Sequence, residues 1–177
     1  VTTPPLGRGA LPPLLAGLQE PVILELTLFS RDSDGQLLAP RTKKNHGVMI
    51  RVKGSERIAL IPSDVYRAWH KGARKLLLAQ IRANLDLQRL LPLAFPMRLH
   101  AVFYRDRLQG DLMGFIDGLA DFLNDDLRSD YEQQKQGKDG AVRVIENDRW
   151  IIGFTRETRL EKDAARPRIE LRLEEER

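Results

Sequence analysis

The chain predicts an α+β fold, a mixed β-sheet with two main helices packed against it, and three observations lead there. Candidate elements follow in the order strand, hairpin, helix, strand, helix, strand, strand, which assembles a sheet with helices laid on it. Met97–Tyr104 and Arg168–Leu173 alternate apolar and polar residues with a period of two, as half-buried strands do. Between them, Leu112, Phe115, Ile116, Leu119, Phe122 and Leu123 recur every three or four positions, the spacing of a helix with one buried face.

Residues 1–17 hold four prolines and two glycines ahead of Gly17 and predict a flexible arm, leaving 18–177 as a single domain. Pro21–Ser30 is apolar and β-rich, a strand buried on much of both faces, and Asp32-Ser33-Asp34-Gly35 marks a turn. A basic loop, Pro40–His46, precedes a hairpin formed by Val48–Val52 and Arg57–Ile61. Ser63 caps a long helix ending before Pro92, with Val65, Trp69, Ala73, Leu77, Ile81 and Leu85 on one stripe. Its other face carries Arg67, Lys71, Arg74 and Lys75.

Arg105-Asp106-Arg107 is the polar exit from the Met97–Tyr104 strand into the second helix, where Asp111 stands at the first turn as a cap. Arg128–Gly140 predicts a charged loop, and Ala141–Ile145 a short strand or extended segment. Trp150–Thr158 and Arg168–Leu173 read as the last two strands, joined by Leu160–Pro167.

Composition bounds the chemistry. The 177 residues are 42% hydrophobic and 31% charged, ordinary for one globular domain with a sizeable core. No cysteine is present, which excludes disulfides, thiolate nucleophiles and Cys-based zinc sites, and His46, His70 and His100 are too scattered to suggest a cluster. No apolar run reaches the roughly 18 residues of a membrane span, and no signal peptide is recognisable, so a cytoplasmic location is expected.

The charge is unevenly placed. Residues 41–80 carry ten Lys or Arg against two acids, a balance of +8, whereas 111–148 carry ten acids against four basic residues, a balance of −6. A basic segment of this kind suits phosphate contacts, for which Lys43, Lys44, Lys71, Arg74 and Lys75 are the candidates. Asp111 and Asp148 each adjoin an apolar run, and two carboxylates converging on one point require a cation.

The order of these pieces resembles the RusA family of Holliday junction resolvases. The resemblance rests on the Lys43-Lys44-Asn45 loop, the helix start with Pro62, Ser63, Tyr66 and Trp69, and the helix with Asp111, Leu112, Asp121 and Leu123. It continues with Asp148 ahead of Ile151 and Ile152, and with the terminal Pro167-Arg168-Ile169, and spans roughly Val22 to Glu174. It implies a RusA-like nuclease, a homodimer that binds branched DNA, the four-way junction, and cleaves phosphodiester bonds in recombination and repair with magnesium or manganese. It also implies that Asp111 and Asp148 are catalytic and metal-binding, with Asp121 a further metal candidate. Met113 and Gly114 stand where the family motif has a second aspartate and an asparagine, which sets beside nuclease activity an alternative, junction binding without cleavage. In either case phosphate contacts would dominate the recognition of DNA, which would be by shape.

Overall fold

The computed structural model describes residues 23–42, 47–51, 54, 58–128, 130–136 and 141–176. The expected arm over 1–17, together with Lys43 and Lys44, lies outside them.

Seven strands and four helices are described. They are β1 (Ile23–Leu28), β2 (Gly47–Arg51), β3 (Ile58–Pro62), α1 (Asp64–Ala83), α2 (Leu85–Leu90), β4 (Met97–Arg105), α3 (Leu112–Asn124), α4 (Asp130–Gln136), β5 (Ile151–Phe154), β6 (Arg159–Lys162) and β7 (Arg168–Glu175). β2 and β3 form the expected hairpin, a separate antiparallel pair. The other five strands make one mixed sheet, as the sequence predicts. β7 lies antiparallel between β1 and β4, while β4 pairs in parallel with β5 near its start and with β6 near its end.

Register explains why the core sits on one face. Leu24, Leu173 and Leu99 align across three strands, then Leu26, Leu171 and Ala101, then Leu28, Ile169 and Phe103, and all nine are buried. A slip of one residue in β7 would turn the entire middle row outward. α1 and α3 supply the opposing layer. Trp69 of α1 meets Phe122 of α3 with ring centroids 5.5 Å apart, and Phe115 of α3 meets Phe103 of β4 at 5.4 Å. Removing a side chain the size of Phe122 from water is worth roughly 1.5–3 kcal/mol, so this seam is a main contributor to stability.

Local signals set the helix ends. The Ser63 hydroxyl accepts the Tyr66 N–H at 3.2 Å, as a cap should. The continuous helix expected as far as Pro92 is broken at Asn84, whose side chain accepts the N–H groups of Asp86 and Leu87 and starts α2. An asparagine offers the backbone this alternative partner and so divides an otherwise helical run. Val65 and Leu85, expected on the buried stripe, are exposed, and Tyr66 is buried instead.

Three further expectations are corrected. The loop expected over Arg128–Gly140 contains α4. The strand expected over Trp150–Thr158 is confined to Ile151–Phe154 and preceded by a 3₁₀ turn, Asp148–Trp150. The start of the Leu160–Pro167 connection belongs to β6, paired with β4 from Val102↔Arg159 to Arg105↔Lys162. Residues 141–145 form no strand but are held by a parallel bridge, Leu93↔Ile145. Among the described residues, no helix is long and apolar enough to cross a membrane.

Candidate functional site

The exit of β4 builds the site. Phe103 is the last apolar residue of the inward row, and the next inward position is Arg105, only 4% exposed. Its guanidinium donates to the Gln109 carbonyl and stands 4.8 Å from the centroid of the Phe115 ring. Burial, then the neighbouring Arg41 charge, holds Arg105 below the usual arginine value, with Arg107 acting in the same direction and Asp106 opposing.

The chain then turns into α3 through Gly110, at φ +147°. A Cβ there would lie 2.4 Å from the Phe115 ring and 2.9 Å from Arg105 Nη1, so only glycine permits this close turn. Asp111 follows at the cap position. Contrary to expectation its carboxylate makes no capping hydrogen bond, and only its backbone carbonyl enters the helix ladder, accepting Phe115 N–H at 3.0 Å. The carboxylate folds over Gly114 instead, where an added Cβ would sit 2.9 Å from both Asp111 Oδ2 and Thr42 Oγ1. Gly114 thus leaves room for a carboxylate and a hydroxyl side by side.

Arg41, Thr42, Arg105, Arg107 and Asp111 line an open pocket of about 240 Å³ at this corner. Sequence reasoning missed Thr42 and Arg105 as functional residues, and gave Arg41 and Arg107 no role beyond a basic loop and a polar exit. The one legible signal was Arg105 itself, a charge at the next inward position of a strand that otherwise buries apolar residues.

The remaining sequence candidates lie elsewhere. Asp121 is ten residues along α3 from Asp111, about 15 Å at 1.5 Å per residue. It faces α1 together with Asp125, which pairs with His70 at 3.0 Å. Burial first, and then the charges of Asp125 and Asp121, push the Tyr66 hydroxyl well above the usual tyrosine range. Asp148 opens the 3₁₀ turn ahead of β5, and Ile151 registers with Met97 at the start of β4. The preceding Val144 and Ile145 donate to the carbonyl of Leu123, in the last turn of α3. In register, therefore, Asp148 belongs to the start of β4 and Asp111 lies beyond its end.

Within one chain, the acidic residues that the resemblance marks as metal ligands are not brought together. Among the described residues, no group of three or more His, Asp or Glu side chains is placed to hold an ion, and Asp111, Asp121 and Asp148 do not form one. On α1, Lys71 and Lys75 are exposed and follow Arg67 at four-residue intervals, while Arg74 is half-buried. These cations share the outer side of the helix, opposite Trp69, Ala73 and Leu77.

Comparison with protein-family models finds no match, and comparison with curated proteins finds none either.

Proposed function

We propose that this chain is a RusA-like protein of branched DNA, a homodimeric endodeoxyribonuclease that binds four-way junctions in the cytoplasm and cuts them with magnesium or manganese during recombination and repair. The observation that supports it is Asp111, a carboxylate set beside three arginines at the end of the central strand and the start of a helix. Phosphodiester hydrolysis needs this pairing of cationic groups that hold the phosphate with a carboxylate near the bond that breaks. The exposed cations of α1 add the sequence-independent contacts that supply affinity.

A second reading, junction binding without cleavage, is favoured by two observations. Asp148 lies at the other end of β4 in register, and the position of the family's second aspartate is taken by Met113, half exposed on the first turn of α3.

The deciding experiment is cleavage of a labelled four-way junction with magnesium, manganese or chelator, using the natural chain, Asp111→Asn and Asp148→Asn. Metal-dependent nicks, reduced at least a hundredfold by either substitution, are expected for the nuclease, as for loss of a group acting directly in chemistry. Tight binding with no nick under any metal would leave recognition alone. Absence of junction binding would remove both.

A further inference from the structure

We propose that the pocket at the exit of β4 binds one phosphate group through Arg41, Thr42, Arg105 and Arg107, and that on a junction it seats a backbone phosphate beside Asp111. Its DNA half rests on the function proposed above; its phosphate half does not.

Size is the first argument. About 240 Å³ lies below the roughly 300–1,000 Å³ of pockets that enclose a drug-sized ligand, which suits a phosphate rather than a base or a whole nucleotide. Charge is the second. Three guanidiniums line the pocket against the single carboxylate of Asp111, and the planar fork of arginine matches phosphate oxygens in pairs.

Unsatisfied donors are the third. Thr42 is 2% exposed and Arg105 4%, yet among the described residues Thr42 Oγ1, Arg105 Nε and Arg41 Nε have no hydrogen-bond partner. Native proteins rarely leave such groups unpaired, and a phosphate entering here would supply oxygens to these donors. The start of the 13-residue α3 opens on the same pocket, and its dipole favours an anion there. Burial chiefly lowers the proton affinity of Arg105, and an anion would offset the charges of Arg41 and Arg107 that add to it.

One group opposes binding. The Asp111 carboxylate lines the same pocket and repels a phosphate, so Asp111→Asn is expected to tighten phosphate binding although the proposed function has it abolish cleavage.

The test titrates the full chain with inorganic phosphate and follows the backbone amide resonances of Gly110 to Phe115 and the arginine Nε–H signals. Variants are Arg107→Ala, Thr42→Val and Asp111→Asn, with Arg89→Ala on exposed α2 as control. Arg105→Ala is avoided because that side chain also supports Phe115 and Gln109. Saturable shifts are expected at these signals, about tenfold weaker binding in Arg107→Ala and Thr42→Val, tighter binding in Asp111→Asn, and no change in the control.

On a fluorescent junction, Arg107→Ala should make the slope of log affinity against log salt shallower by about 0.9, the share of a single neutralised phosphate. No saturable shift at the pocket, or shifts equal in every variant, overturns the proposal. Phosphate bound in the expected variant order without junction binding keeps the pocket, assigns it to free phosphate and sinks the junction reading. A junction held equally by all variants keeps that reading and removes the pocket from it.

Discussion

Asp126 and Arg128 show how a charged pair fixes backbone where apolar packing runs out. The Arg128 side chain is 4% exposed and that of Asp126 16%, and their closest approach is 2.7 Å. Asp126 also accepts the N–H of Arg128 at 3.1 Å and of Val142 at 3.3 Å, tying the segment after α3 to residues 141–145. Burial acts to raise the Asp126 pKa, but the hydrogen bonds from Arg128 and Val142 outweigh it and leave the carboxyl below its ordinary value. A carboxyl with a depressed folded pKa contributes stability above its unfolded value near 3.9 and loses it as pH falls through the folded value. Arg128→Ala is therefore expected to cost about 3 kcal/mol at pH 7, and less at pH 3, below the unfolded value, where part of the pair's contribution is already lost. Urea unfolding at both pH values measures this, and an equal loss at the two would show that packing of the arginine stem, not the charge pair, is what matters. At the same scale, the inward turn of Arg105 follows from strand alternation continued one step beyond Phe103. The company it keeps does not, because Arg41 and Thr42 reach it from more than sixty residues away.

At the scale of elements, α1 divides its work cleanly between two faces. Trp69, Ala73, Leu77 and Ile81 are buried, and Gln80 ties the helix to β1 through the Thr27 carbonyl at 3.2 Å. Reversing the charge of Lys71, Arg74 and Lys75 together to glutamate should leave the fold intact, since Lys71 and Lys75 are exposed and Arg74 half-buried, outside the core. Junction binding should weaken and its salt slope flatten by about 0.9 for each phosphate no longer neutralised. Circular dichroism checks the first outcome and binding across salt concentrations the second; unchanged affinity would take this face out of DNA recognition. The elements with their own periodicity were legible in sequence: α1, α3, β4 and β7 each carry an apolar row that only one period satisfies. α4 and β6 were not. Asp130–Gln136 has no apolar stripe, and Arg159–Lys162 is mostly charged, a strand only because the far half of β4 offers an unpaired edge. Such elements are set by tertiary partners rather than by propensity.

For the whole molecule, the decisive relation is between the two ends of β4. Asp148 belongs to its start and Asp111 lies beyond its finish, so the nine residues of the strand stand between them in register. The sequence places both beside apolar runs but carries no signal of their separation, because that depends on the parallel pairing of β4 with β5. In the homodimer proposed above, a two-fold axis would let Asp111 of one copy meet Asp148 of the other, completing a site that one chain leaves divided. Mixing inactive Asp111→Asn and Asp148→Asn proteins tests this directly. After subunit exchange, a mixed dimer holds one site with both carboxylates intact if the sites are shared between copies, and none if each site lies within a chain. Nicking of a labelled junction should then recover to roughly a quarter of the natural level, from half of the dimers bearing one good site of two. Recovery requires a shared site. With exchange verified by mass spectrometry, continued inactivity would return both carboxylates to a single chain and require the segment from Asn124 to Asp148 to move when DNA binds.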